Sequence, residues 1–231
     1  MSEPPKRRMQ RPPAAGPARG DGQRPKAVKA RSPSSRAWIE RQLADPFAAE
    51  ARARGYRSRA AFKLAEIDAR FSIIGHRAAV IDLGCAPGGW LQVALERGAK
   101  DIVGIDLLPT EPVAGADILQ GDFTAEGAAE RLIDRLGRAP DLILSDMAPN
   151  TIGHKRTDHL RIMALLEEAS AFALARLRPG GAFLAKAFQG GETARLTADL
   201  KRAFAEVRYV KPKASRAESS ELFLLARGRK G

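Results

Sequence analysis

The sequence predicts an α/β protein with a doubly wound, mostly parallel sheet, and three observations carry that prediction. From residue 79 onward, short apolar runs of strand length alternate with longer runs of helical spacing. The first strand, Ala79-Val80-Ile81, passes through Asp82 into a turn crowded with Gly84, Pro87, Gly88 and Gly89, and a helical pattern starts at Trp90. Acidic residues then close later strands, Asp106 after Asp101–Ile105 and Asp146 after Asp141–Ser145. Ligands of such sheets sit beyond the carboxyl ends of the strands, so these ends are where function is sought.

In chain order, residues 1–35 form an expected disordered basic tail. They are rich in Pro, Arg, Gly, Ala and Ser, and bury too little apolar surface to offset the entropy of ordering. The formal net charge of +12 is concentrated early: residues 1–62 carry 15 Lys/Arg against 5 Asp/Glu, and residues 63–231 carry 24 against 22. A tail of this kind suits nucleic-acid phosphates. A transit peptide shares the composition, but Pro4, Pro5, Pro12, Pro13 and Pro17 rule out its amphipathic helix. A solubilising tail is the plainer alternative. Residues 36–231 are read as one folded domain that opens with a helical extension, 36–75. There Trp38, Ile39 and Leu43 share a helical face, Asp45-Pro46 breaks the run, and Ser58 is the expected N-cap of the next helix. Arg52, Arg54, Arg57 and Arg59 interleave with Tyr56 and Phe62, a pattern suited to RNA through phosphate contacts and stacking, or to a solvated helix face.

The sheet proper is predicted from strands near 79–83, 102–106, 116–119, 141–145, 181–187, 207–210 and 221–226. Helices are predicted near 89–97, 125–137, 158–177 and 192–205. Strand, glycine turn and helix at 79–95 make half of a nucleotide-binding βαβ unit, in which glycines let the backbone approach a ligand. The turn lacks the middle glycine of G-x-G-x-x-G, and Trp90 stands where a P-loop needs its Gly-Lys-Ser/Thr ending. An adenosyl ligand therefore fits better than a pyrophosphate, with Asp106 placed for the two ribose hydroxyls. Asp122, after the third strand, suits an adenine amino group, with Phe123 or Met147 packing the ring. It equally suits a turn before the next helix. Lys186 lies inside an apolar strand, which is costly unless a carboxylate holds it or its pKa falls. Glu221 opens the last strand, and antiparallel pairing would bring it to the same rim as Lys186 and Asp146.

Other function classes find little support. Cys85 is the single cysteine, so no internal disulfide or cysteine-built zinc site is expected, and a reducing, cytoplasmic setting is compatible. His76, His154 and His159 make no metal face, and no apolar run approaches the roughly 20 residues of a membrane span. Gly153-His154-Lys155-Arg156 reads as a basic loop, and Lys211, Lys213 and Arg216 are placed to hold a phosphate near Glu221.

In order, DLGCAPGGW, DLLP, LQGDF, LSDMAPN, FLAKAFQG and SSELFLLA resemble the FtsJ/RrmJ (RlmE) family of bacterial rRNA ribose 2′-O-methyltransferases, from about Tyr56 to Arg229. The resemblance implies a Rossmann-like class I S-adenosylmethionine-dependent methyltransferase fold, seven-stranded with the last strand antiparallel. It implies a catalytic Lys-Asp-Lys-Glu set on Lys63, Asp146, Lys186 and Glu221. Contacts to S-adenosyl-L-methionine carry over to Gly88, Trp90, Asp106, Asp122 and Asp146. The implied target is a uridine in the A loop of 23S rRNA within the 50S subunit, modified by a monomer. The long Pro/Arg-rich extension departs from the family's pattern. A fold-retaining binding module would have lost one of the four residues, and all four are present. A protein or small-molecule methyltransferase would need neither them nor the basic arm, whereas tRNA-directed, mRNA-cap and mitochondrial relatives share them.

Overall fold

Seven strands form one mixed sheet: β1 (Ala79–Leu83), β2 (Asp101–Asp106), β3 (Asp117–Gln120), β4 (Leu142–Ser145), β5 (Ala182–Phe188), β6 (Phe204–Val210) and β7 (Glu221–Arg229). Their order across the sheet is β3-β2-β1-β4-β5-β7-β6. The first five are parallel, and β7 is inserted between β5 and β6, antiparallel to both. This computed structural model describes residues 45–149, 155–188, 194–216 and 219–231, without the side chains of 155–159. The expectations for the tail, for Trp38, Ile39 and Leu43, and for Gly153 and His154 lie outside the described residues.

Six helices flank the sheet: α1 (Pro46–Ala53), α2 (Ala60–Phe71), α3 (Gly89–Glu96), α4 (Ala128–Leu136), α5 (Lys155–Arg176) and α6 (Ala194–Ala203). The alternation of strand side chains divides the core into two layers. Val80, Leu142, Leu144, Leu184 and Phe223 face α2 and α3, with Leu64, Trp90 and Leu91. Ile81, Ile143, Phe183 and Leu224 face α4, α5 and α6, with Leu132, Leu166 and Leu200. Covered on both faces, β1 is buried at all five positions, which is why it reads as a nearly unbroken apolar run.

Several local expectations need correction. Asp45-Pro46, expected only to break a run, starts a helix: Asp45 Oδ1 accepts the N–H groups of Phe47 (3.0 Å) and Ala48 (3.4 Å), and Pro46 takes the first turn. Ser58 is not an N-cap. Helix α2 begins after Arg59 with no side-chain cap, and the Ser58 hydroxyl is wedged 2.7 Å from the place a Gly89 Cβ would occupy. The helix expected at 192–205 stops at Ala203, because Phe204 (1 % exposed) is drawn into the core while its backbone pairs with Arg229. The sixth strand therefore starts at 204, three residues before its expected start. Lys155 and Arg156, expected in a loop, are in the first turn of α5.

Candidate active site

Two lysine–carboxylate pairs meet at the carboxyl rim of the sheet, carried by four elements. Lys63 projects from the first turn of α2, after Ala60 and Ala61 at small-residue positions against the core. Its Nζ donates to Glu221 Oε2 at 2.9 Å and lies 2.7 Å from Oε1. Lys186, near the end of β5, donates to the Asp146 carbonyl at 2.9 Å, and its Nζ is 2.6 Å from Asp146 Oδ1 as an ion pair off that hydrogen-bond axis. The four side chains are between 10 and 17 % exposed. The pairs are neighbours by register: β5 and β7 set Lys186 against Phe223 and Phe188 against Glu221, so Lys186 and Glu221 share a face two residues apart. Phe223 also carries Lys63, whose Nζ lies 5.5 Å from its ring, and is backed by Trp90 at 5.7 Å.

Glu221 is held ionised. Burial pushes its carboxyl up, but the Lys63 charge and hydrogen bond, the Ser215 hydroxyl and the Lys186 charge outweigh burial and keep it below the ordinary glutamate range. Ser215 Oγ donates to Glu221 Oε1 at 2.8 Å. No pattern in the chain announces this contact, since Ser215 sits in a loop of small and basic residues. That loop is tied back by Arg59, which donates to the Ala214 carbonyl and pairs with Asp45. The basic residues expected to hold phosphate there are partly engaged: Lys211 donates to the Ser219 carbonyl at 2.8 Å, and Arg216 lies 3.8 Å from Asp45.

Around the glycine turn the acids converge. Asp82 in β1 is 1 % exposed, and neither carboxylate oxygen has a hydrogen-bond partner among the described residues. Burial, followed by the charges of Asp146 and Asp106, pushes its carboxyl well above the ordinary aspartate range. Asp106 Oδ2 accepts the Ala86 N–H (2.8 Å) and Oδ1 the Leu108 N–H (2.9 Å), which fixes the carboxylate across the turn. Asp122 is exposed and makes an Asx turn. Its Oδ1 accepts the Thr124 hydroxyl (2.7 Å) and N–H (2.8 Å), and these bonds hold its carboxyl low. Phe123 stacks edge-on against Phe172 at 5.3 Å.

Gly84 and Gly88 are also required by the protein's own packing. A Cβ on Gly84 would meet Met147 atoms at 2.8–2.9 Å, and one on Gly88 would meet Val113 and Arg57 at 2.9 and 3.1 Å. The Trp90 indole is buried and donates to the Ala60 carbonyl at 2.8 Å. It is a core residue in the first turn of α3. Arg57 differs most from the RNA-surface expectation. Its guanidinium donates to the carbonyls of Pro87 (3.1 Å), Pro112 (2.6 Å) and Glu111, stitching the glycine turn to the loop after β2. Arg52 and Arg54 remain exposed.

Among the described residues, no group of three or more His, Cys, Asp or Glu is placed to hold a metal ion. No described helix is long and apolar enough to cross a membrane. The FtsJ-like methyltransferase family model matches residues 56–229. Ribosomal RNA large subunit methyltransferase E of Caulobacter vibrioides is 60% identical over 225 residues, 96% of this chain and all of the relative. The protein of the same name from Hyphomonas neptunium is 51% identical over 234 residues, 99% of each chain. A solved ribosomal RNA methyltransferase from Plasmodium falciparum superposes with a TM-score of 0.68 at 32% identity, covering 76% of this chain and 100% of that one. The lysine–carboxylate rim, the sheet order and these matches lead to one conclusion: the chain belongs to the FtsJ-like methyltransferase family.

Proposed function

We propose that this protein methylates the ribose 2′-hydroxyl of a uridine in the A loop of 23S rRNA, on the large ribosomal subunit, using S-adenosylmethionine. The observation that carries the chemistry is the pair of lysine–carboxylate contacts at one rim, Lys63–Glu221 and Lys186–Asp146. The nucleotide and its setting rest on the family and on relatives named for large-subunit rRNA.

The residues fit the cofactor. Asp82, Asp106 and Asp146 gather negative charge at the ends of β1, β2 and β4, and the orphaned Asp82 carboxylate marks a buried site short of positive charge. A sulfonium bearing an ammonium group supplies that charge. Asp106 would hold the ribose hydroxyls, Asp122 Oδ2 the adenine amine, Gly88 and Trp90 the ligand by backbone, and Asp146 the boundary with the acceptor. When bound, S-adenosylmethionine supplies an electrophilic methyl group.

The protein's task is then to orient a weak nucleophile and manage its proton. The Lys186 amine is anchored by its hydrogen bond to the Asp146 carbonyl and its ion pair with the carboxylate, and from there it would act on the acceptor hydroxyl. Lys63, fixed by Glu221 and the Phe223 ring, holds the hydroxyl from the other side. The pH dependence of single-turnover methylation distinguishes the two roles of Lys186. Proton acceptance gives a rate that rises with loss of the lysine's proton, and steering by the ammonium gives one that falls. Near wild-type turnover in Lys186→Ala refutes both.

The helical segment up to residue 75 is proposed to face RNA through Arg52 and Arg54, with the basic tail as an auxiliary arm, in a cytoplasmic monomer. Incubation with labelled S-adenosylmethionine and 50S particles, naked rRNA or tRNA tests the reading. Label on the particle's large rRNA is expected, and label on tRNA alone overturns it.

A further inference from the structure

The amino ends of β1, β4 and β5, opposite the lysine–carboxylate rim, enclose a cavity of about 450 Å³ lined by Arg77, Arg138, Arg178, Arg227, His76 and Asp141. Ligands of open α/β sheets bind at the carboxyl ends, so this concavity is separate from the cofactor site. Its one carboxylate is already committed: Asp141 Oδ2 accepts the Ala79 N–H at 2.7 Å and lies 3.2 Å from Arg138, and Oδ1 pairs with Arg178. Burial pushes this carboxyl up, but the Ala79 N–H and the two arginines outweigh it and hold it ionised.

Cations remain in excess after that pairing. Arg138 also meets Asp101 (2.9 Å), and Arg227 pairs with Glu206 and donates to the Phe71 carbonyl at 2.7 Å. The Phe71 ring carries three guanidiniums, from Arg70 (5.1 Å), Arg208 (5.2 Å) and Arg227 (5.5 Å), which extend the basic surface beyond the cavity mouth. The Arg77 guanidinium has no partner among the described residues. Its backbone is left-handed (φ 57°), a conformation unusual for a side chain of this size. It is pinned there by its N–H on the Gly98 carbonyl (2.7 Å) and by Arg138 on its own carbonyl (2.8 Å). The Cα–Cβ direction at 77 is thus set by a locked backbone, while its charge is unpaired among the described residues.

A concave set of planar, weakly hydrated guanidiniums beside an aromatic face matches phosphodiester chemistry. We propose that this cavity binds a backbone phosphate of large-subunit rRNA, at a nucleotide other than the one carrying the target ribose. The proposal rests on the rRNA reading above. The five residues of β1 separate the two sites by roughly 16 Å, so one nucleotide cannot reach both.

The test compares wild type, Arg77→Gln and Arg77→Glu for binding to 50S particles between 50 and 200 mM KCl. S-adenosylmethionine affinity and Tm are measured alongside. Arg77→Gln is expected to weaken particle binding several-fold at low salt and to lower the log–log salt slope by about one. Its penalty should shrink about three-fold by 200 mM, and Arg77→Glu should bind more weakly still, with cofactor affinity and Tm unchanged. Wild-type affinity and slope in a folded Arg77→Glu protein overturn the proposal. So does thermal stabilisation by pyrophosphate that Arg77→Gln abolishes while particle binding is unaffected, since the ligand is then a free anion. Failure of wild type itself to bind or methylate particles refutes the rRNA reading instead.

Discussion

Adding one methyl group at residue 84 should disable the enzyme by moving residue 146. Gly84 has φ +80°, and a Cβ there would come within 2.8–2.9 Å of Met147 Cγ, Cα and N. Two of those atoms are backbone, one and two bonds from Asp146, so the strain cannot be relieved by turning a side chain. Gly137, which ends α4, has φ +75° and nothing within 4 Å of its Cβ position. Gly137→Ala therefore isolates the conformational cost, about 1–2 kcal/mol for a left-handed alanine. Gly84→Ala adds overpacking of about 1–3 kcal/mol. At about 2–4 °C of Tm per kcal/mol for a domain of this size, the control should lose roughly 2–8 °C and Gly84→Ala clearly more. Methyl transfer should separate the two more sharply. Displacing Asp146 by even 1 Å disturbs the Lys186 contact, and misplacement on that scale costs about 10²-fold in rate. Calorimetry and single-turnover methylation of 50S particles supply the readouts. The reasoning fails if Gly84→Ala melts no lower than Gly137→Ala and methylates within about three-fold of wild type.

Four further outcomes are expected. Lys63→Met leaves Glu221 buried without its cation and should cost about 3–5 kcal/mol in urea unfolding at pH 7, together with most of the turnover. Because the folded Glu221 carboxyl is depressed, its stabilisation is present above the unfolded glutamate value near 4.5 and lost as pH falls through the folded value. Glu221→Gln should flatten that part of the acid limb, and an unchanged limb contradicts the pairing. Asp82 has the opposite sign: its raised carboxyl favours the fold fully only below the unfolded aspartate value and opposes it as pH rises. Asp82→Asn should therefore stabilise the cofactor-free protein more at pH 8 than at pH 5 while weakening S-adenosylmethionine binding, as titration calorimetry would show. Arg57→Ala should raise the cofactor Kd about ten-fold or more, the loss of charge-assisted hydrogen bonds to three carbonyls, and leave 50S affinity unchanged.

The strands, the glycine turn, Lys186 and Asp146 were legible because each breaks a local pattern, a lysine in an apolar run or an acid closing a strand, whereas Lys63, an ordinary helix lysine by pattern, came only from the family resemblance. Two-sided burial also showed through, since β1 and β4 are covered on both faces and read as nearly unbroken apolar runs. What stayed hidden depends on partners distant in the chain. Nothing about Ser215 announces its bond to Glu221, because a small loop hydroxyl looks the same bound or solvated. Arg57 reads as a surface cation, yet its acceptors are carbonyls, which carry no sequence signature, and they lie 30 to 55 residues away. Phe204 was placed in a helix by propensity and pulled into a strand by burial and pairing with β7, a tertiary override of a weak local preference.

The position of β7 decides whether a fourth charged residue can join the rim at all. A parallel last strand would carry its first residue to the amino end of the sheet, on the side of Arg77 and Asp141. Running antiparallel, β7 begins where β5 ends, and insertion between β5 and β6 makes Glu221 a neighbour of Lys186 instead of an edge residue. Register does the rest. A slip of one residue along β5 would turn Glu221 to the opposite face and leave Lys63 with no carboxylate. That slip is resisted because it would also pull Phe223, fully buried between Trp90 and the Lys63 amine, out of the α2–α3 layer and drive Leu224 out of the opposite one. The apolar pattern of β7, which is a folding signal, is therefore also what aligns the charges, and substitutions at Phe223 should lower methyl transfer by more than their cost in stability alone accounts for.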